Sequence, residues 1–291
     1  MLEELQILVN IMWVQITQIG PYWLIGLVVG SLVSVYLSQG IVDRVCALLE
    51  NKFPLISIVA ATILGIASPL CMYGTVPLIA ALGRKHVVQS ALVAFMISSI
   101  LLNPNLFLMS FALGAPIAFL RLALCGLAGI LAGLLAKILF RNKRIFDFDK
   151  FQADTERKEK TYFRDLAKAI RITGPYFLIG IVLTALFDRY VPKEWVASLF
   201  GSNRGLGVLL SVSLSVPLYA CGGGMIPLMK AWMPAGMDLG SVAAFMIGGP
   251  ATKITNLSAV KIILGTRNFL LYLGYSLLFA FISGLVISLF I

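Results

Sequence analysis

Hydrophobic sequence in this chain is broken twice in the same way. Pro69-Leu70-Cys71-Met72-Tyr73-Gly74-Thr75-Val76-Pro77 interrupts a long apolar run, and Cys221-Gly222-Gly223-Gly224-Met225-Ile226-Pro227 repeats its Cys-x-x-Gly-x-x-Pro pattern, again shortly after a proline, Pro217. Lipid tolerates irregular backbone only where the freed N–H and C=O groups meet protein or a water-filled cavity. Matched breaks in two halves of a hydrophobic chain point to a pocket near the middle of a membrane bundle, where transporters bind their cargo.

With 291 residues, 59% apolar and 12% charged, the chain is too hydrophobic for a soluble domain. It is an integral membrane protein of all-α class. Windows near the roughly 20 apolar residues of a bilayer crossing are Ile19 to Ser38, Leu122 to Ala136 extended by Lys137 to Phe140, and Phe269 to Ile291, and about eight transmembrane helices are expected in all. The net charge of +10 does not indicate nucleic acid. Its bases cluster between Lys137 and Arg171, interleaved with acids such as Asp147, Asp154 and Glu159, as in a cytoplasmic loop under the positive-inside rule. Met1-Leu2-Glu3-Glu4 lacks a basic n-region, so the first crossing is expected to act as its own insertion signal. Four scattered cysteines give no disulfide framework and no zinc spacing, and no cofactor is expected.

The breaks belong to a larger repetition. Gly20-Pro21-Tyr22-Trp23-Leu24-Ile25-Gly26 returns as Gly174-Pro175-Tyr176-Phe177-Leu178-Ile179-Gly180, and Ala94-Phe95-Met96-Ile97 returns as Ala244-Phe245-Met246-Ile247. Three markers in one order predict an internal duplication: a lead-in or interfacial helix over 1–18, repeat one over 19–140, a charged cytoplasmic loop over 141–167 and repeat two over 168–291. Four crossings per half would place the N-terminus and central loop in the cytoplasm and make the repeats parallel; an odd number would invert them. Residues 54 to 83 decide between the two, as a short crossing plus a half-helix or as a re-entrant hairpin. Gly129-x-x-x-Gly133 permits close helix packing, expected inside the protomer, although a homo-oligomer is compatible with it.

Proline is favoured in the first turn of a helix, so Pro77 and Pro227 should open half-helices whose positive ends face Gly74, Cys71 and Gly222-Gly223-Gly224, Cys221. An anion, a polarised neutral ligand or a thiolate is stabilised at such a place. Two soft sulfurs, Cys71 and Cys221, suit a soft metalloid; free cysteine also packs as a small hydrophobe. Lys253 is costly within apolar sequence and marks a functional position unless it snorkels to the interface. Asn103, Thr252 and Asn256 either complete a polar patch with it or bond between helices. No buried carboxylate stands out as a proton carrier.

The duplicated Cys-x-x-Gly-x-x-Pro, followed by Ala-Phe-Met-Ile and then by Asn103-Pro104 or Gly249-Pro250-Ala251-Thr252-Lys253, resembles the ArsP-type family of bacterial permeases. The resemblance covers nearly the whole chain. It implies a permease of the bacterial inner membrane acting on a small molecule, with efflux of trivalent organoarsenicals, and hence arsenic resistance, in some members. It carries Cys71, Gly74, Pro77, Cys221, Gly224 and Pro227 over as motif positions. The triple glycine and the Lys253 segment occur only in the second half. A channel, and an intramembrane enzyme with a cysteine nucleophile, are the alternatives; the enzyme needs a base beside the cysteine, and the sole histidine, His86, lies in a basic loop.

Overall fold

The computed structural model describes residues 54–68, 87–140, 204–218, 225–234 and 236–290, with isolated positions between 4 and 49, from 75 to 83, at 145–146 and from 167 to 189. Regular structure among them is entirely helical. The first half supplies α1 (Pro54–Ala67), α2 (Gln89–Leu101), α3 (Pro104–Ser110) with a 3-10 turn at Phe111–Leu113, and α4 (Ala115–Leu139). The second supplies α5 (Arg204–Leu218), α6 (Met225–Trp232), α7 (Leu239–Thr252) and α8 (Ile254–Phe290).

Two of these are long and apolar enough to cross a membrane, α4 and the Ile263–Phe290 part of α8. The pair Gln89–Leu101 and Leu106–Leu113, bent by 46° at its break, makes a third if it is one span. At 1.5 Å per residue α1 and α7 reach only about 21 Å, short of a hydrocarbon core of about 30 Å. The described residues thus carry two or three spans where about eight were expected along the chain; the window Ile19 to Ser38, apart from Leu24, lies outside them. Leu127, Leu131, Leu135 and Ile138 on α4, and Leu278, Ile282, Val286 and Leu289 on α8, form exposed apolar stripes at helical spacing. Such faces suit lipid and no other solvent.

Lipid tails are as apolar as leucine, so helices in a bilayer associate through close packing at small residues. A Cβ on Gly133 of α4 would lie 2.8 Å from Ile58 of α1 and 3.0 Å from both Ala94 and the Ser90 carbonyl of α2. On Gly284 of α8 it would lie 2.9 Å from Val208 of α5, 2.7 Å from Ala244 and 2.8 Å from the Gly240 carbonyl of α7. Each set is the other shifted by 150 or 151 positions. Gly129 packs likewise, against Thr62 and Ser98, so the Gly129-x-x-x-Gly133 face is buried within the protomer. The long helices also begin alike: Gly114 (φ 115°) precedes α4, and Gly265 (φ 68°) breaks α8 ahead of its long apolar part. Positive φ is readily open only to glycine.

The two trios of helices run in opposite directions. Early α4 faces early and middle α7 around one cavity, with Ile117 and Arg121 opposite Leu239 and Met246. Early α7 packs on late α8 through Gly240, Gly284 and Ser288. Tyr275 of α8 donates to the Ala128 carbonyl in mid-α4, and beyond the end of α4 the Ile145 carbonyl accepts from Asn268, at the start of the long part of α8. The start of α4 therefore lies level with the end of α8. Four crossings per half would have set these equivalent helices parallel; the contacts run the other way. Arg189 also donates two hydrogen bonds to Glu4, at 2.7 and 3.1 Å, and holds its carboxyl below the usual carboxylate range.

Candidate functional site

Both halves break their apolar packing at one place. In the first, α2 ends at Leu101 and Asn103 takes extended backbone (φ −134°, ψ 167°) before Pro104 opens α3. The Asn103 amide oxygen accepts from the Leu106 N–H at 2.8 Å, so one unpaired donor of the new helix is satisfied by its own cap. In the second half, 150 residues on, Lys253 separates α7 from α8 (φ −53°, ψ 123°), and its carbonyl accepts from the Leu257 N–H at 3.0 Å. Asn103 and Lys253 thus hold the same station with different chemistry. The amide is engaged in capping. The half-buried ammonium of Lys253 has no hydrogen bond or ion pair among the described residues.

Thr252 is fully buried, but its hydroxyl turns back to the Gly248 carbonyl at 2.8 Å and supports the end of α7. Among the described residues no hydrogen bond joins Asn103 to Thr252 or Lys253. Helix is already present at Met225, two residues ahead of Pro227, and at Thr75, two ahead of Pro77, so Pro227 lies within the first turn of α6 and does not open it as expected; its side chain and that of Asn256, in the first turn of α8, lie outside the described residues. Cys71, Gly74, Pro77, Cys221, Gly222, Gly223 and Gly224 lie outside them as well.

Residues at the end of each motif and just beyond it are buried. Thr75, Leu78 and Ile79 are helical and at most 9% exposed; Met225, Leu228 and Met229, their counterparts 150 residues on, are at most 2% exposed. Both motifs therefore lead into helices enclosed by protein. Met225 and Met229 belong to one cluster with Met109 and Ile117 of the first half and Met237 and Met246 of the second. That cluster bridges the halves.

One residue of this bridge was not among the sequence candidates. Arg121, in α4, is 3% exposed; it donates to Ser110 Oγ at 2.9 Å and makes a long contact, 3.4 Å, with the Met246 carbonyl of α7. An arginine six residues into an apolar helix was a visible signal, because ionisable groups at membrane depth are functional by default. Its counterpart in the long helix of the second half is Tyr272, which donates to the Ala251 carbonyl at 2.8 Å.

Interrupted helices, lipid-facing stripes and a buried seam between halves define a helical membrane protein with polar groups such as Arg121 and Thr252 buried inside the bundle. The chain belongs to the ArsP_1 family, described as predicted permease, which it matches over residues 3–289. It is similar to UPF0718 protein YcgR of Bacillus subtilis, 22% identical over 92% of each chain. It is also similar to the "Putative two-component membrane permease complex subunit" of Streptococcus mutans, 27% identical over 92% of this chain and 90% of that protein. UPF0718 protein MJ0584 of Methanocaldococcus jannaschii is 23% identical over 54% of this chain, a match spanning 40% of that protein. No solved structure matches.

Proposed function

We propose that the protein is a multi-pass permease of the bacterial cell membrane that moves a small solute through a midplane site between two internal repeats. The paired break carries this reading: equivalent stations, Asn103 and Lys253, interrupt equivalent helices, and each Cys-x-x-Gly-x-x-Pro motif leads into a helix buried in protein. Discontinuous helices at matching places are how transporters expose helix ends to cargo. The opposed run of α4 and α8 favours inverted repeats with an odd number of crossings each, in place of eight spans in parallel halves. On that reading the N-terminus lies across the membrane from the cytoplasmic central loop.

The cargo we propose is a trivalent organoarsenical or a related soft metalloid species, moved outward. Thiol and thioether sulfurs are soft donors. Cys71 and Cys221 supply the first, and the methionine cluster of Met109, Met225, Met229, Met237 and Met246 lines the seam beside the second motif. Gly74, Pro77, Gly222, Gly223, Gly224 and Pro227 shape the two helix ends, and Lys253, with Asn256, supplies polar contact. The name of the Streptococcus mutans relative suggests a second subunit; a homo-oligomer would serve the same end.

Uptake of methylarsenite into everted vesicles tests this. Lys253→Met and Cys221→Ala should each lower uptake without lowering the amount of protein inserted. Full activity of the double variant would remove the site assignment. Equal methylarsenite binding by purified wild type and a Cys71→Ala, Cys221→Ala variant would remove the sulfur ligands.

A further inference from the structure

Arg121 carries a charge with no described countercharge. Its Nε is buried and has no hydrogen-bond partner among the described residues, where its other donors meet a neutral hydroxyl and a distant carbonyl. The Cys125 thiol, one turn on, lies beside it. The described carboxylates are Glu4 and Asp238. Glu4 is engaged by Arg189. Asp238 Oδ1 caps α7 by accepting from the Ser241 N–H at 3.2 Å, and its buried Oδ2 has no hydrogen-bond partner among the described residues, where no ion pair joins it to Arg121. Burying an isolated cation costs several kcal/mol even after relaxation, so such groups are paired.

Arg121 lines a cavity of about 10 Å³ whose other walls are apolar and include Ile117 and Leu124 of α4 with Val242, Ala243 and Met246 of α7. That is the volume of roughly one water position, yet a buried water needs two to four polar partners. Arg121 is the sole polar side chain in the lining. A single anionic atom gains more there than water does, because one partner both neutralises the charge and satisfies Nε–H.

We propose that this cavity, where α4 of one half meets α7 of the other, is an anion subsite in which Arg121 holds one negatively charged atom, a halide or one oxygen of a carboxylate or oxyanion. The subsite does not depend on the solute transported, and its occupancy is an equilibrium property readable without transport.

The test monitors thermal unfolding of purified full-length protein in detergent while sodium gluconate, too large for the cavity, is replaced by sodium chloride or sodium formate at constant ionic strength. In wild type the small anions should raise the midpoint saturably, by about 2–4 °C at ten times Kd. Response to chloride alone identifies a halide site, and response to formate as well an oxyanion site; either supports the proposal. Arg121→Gln should abolish the response. Should that variant fail to fold, Ala243→Leu decides, since it fills the cavity and leaves the guanidinium in place; it too should abolish the response. Asp238→Asn should leave it intact. Equal effects of chloride and gluconate on wild type, a response surviving in Ala243→Leu, or loss of the response in Asp238→Asn would overturn the subsite.

Discussion

The two halves share a scaffold and differ in what it carries. Gly133 and Gly284 meet equivalent neighbours in equivalent helices, Gly114 and Gly265 turn the chain at equivalent points, and the breaks fall at Asn103 and Lys253. Even their one packing exchange is reciprocal. In the first half Gly65 of α1 makes room for Ser98 of α2; in the second Ser215 of α5 fills the room left by Gly248 of α7. The polar chemistry is not repeated. Arg121 reaches into the other half, whereas Tyr272 bonds within its own, and a capping amide faces, across the duplication, an ammonium unengaged among the described residues. The frame recurs in both halves, and the polar residues set on it do not.

The likeness of the halves breaks first at the shared glycines. Gly133→Leu and Gly284→Leu should each cost about 3 kcal/mol or more and lower the yield of folded protein alike, because each side chain would drive into a backbone carbonyl as well as side chains. Unequal losses, read from detergent-solubilised yield and unfolding midpoint, would separate the two trios. Next comes the exchange. Gly248→Ser alone should cost about 1–3 kcal/mol through its clash with Ser215 Oγ, 2.6 Å from the position of a Cβ. Adding Ser215→Gly turns this contact into a copy of Gly65–Ser98 and should recover most of that loss in a double-mutant cycle.

Tyrosine hydroxyls sharpen the contrast with smaller effects. Tyr272→Phe and Tyr275→Phe each remove one hydrogen bond to a carbonyl, worth about 1 kcal/mol. The first bond lies within a half and the second between halves. Only Tyr275→Phe should therefore raise hydrogen exchange along the seam of α4 and α8. The smallest effect is at the exposed Glu4–Arg189 pair. The depressed Glu4 carboxyl stabilises the fold above its ordinary range and loses that contribution as pH falls from that range through its lowered folded-state value; because the pair is exposed, Glu4→Gln should lower the unfolding midpoint at pH 7 only slightly, less than either tyrosine substitution.

Much of the frame was legible in the sequence. Gly129-x-x-x-Gly133 announced the close packing, the windows at Leu122 and Phe269 fell inside α4 and α8, and the polar residues after each Ala-Phe-Met-Ile marked real breaks. Direction was not legible, because hydropathy cannot tell whether a 14-residue apolar helix crosses a bilayer or turns back within it. Thr252 and Asn103 stood out in the sequence as polar residues in apolar surroundings, but a sequence does not show that the hydroxyl bonds back to Gly248 and the amide caps its own helix. Arg121 is legible as a charge at the edge of an apolar window, but its reach into the other half is not. The Gly65–Ser98 and Ser215–Gly248 exchange needs both partners in view.

Opposed halves are the central claim drawn from the seam contacts, and the inverted-repeat reading rests on it. Labelling with a membrane-impermeant maleimide tests it, using a background in which Cys46, Cys71, Cys125 and Cys221 are replaced and one cysteine is introduced, at Lys137 near the end of α4 or at Phe290 at the end of α8, both exposed. Opposed halves predict that in intact cells one site labels directly and the other only after permeabilisation. Labelling of both sites from the same side would contradict the account.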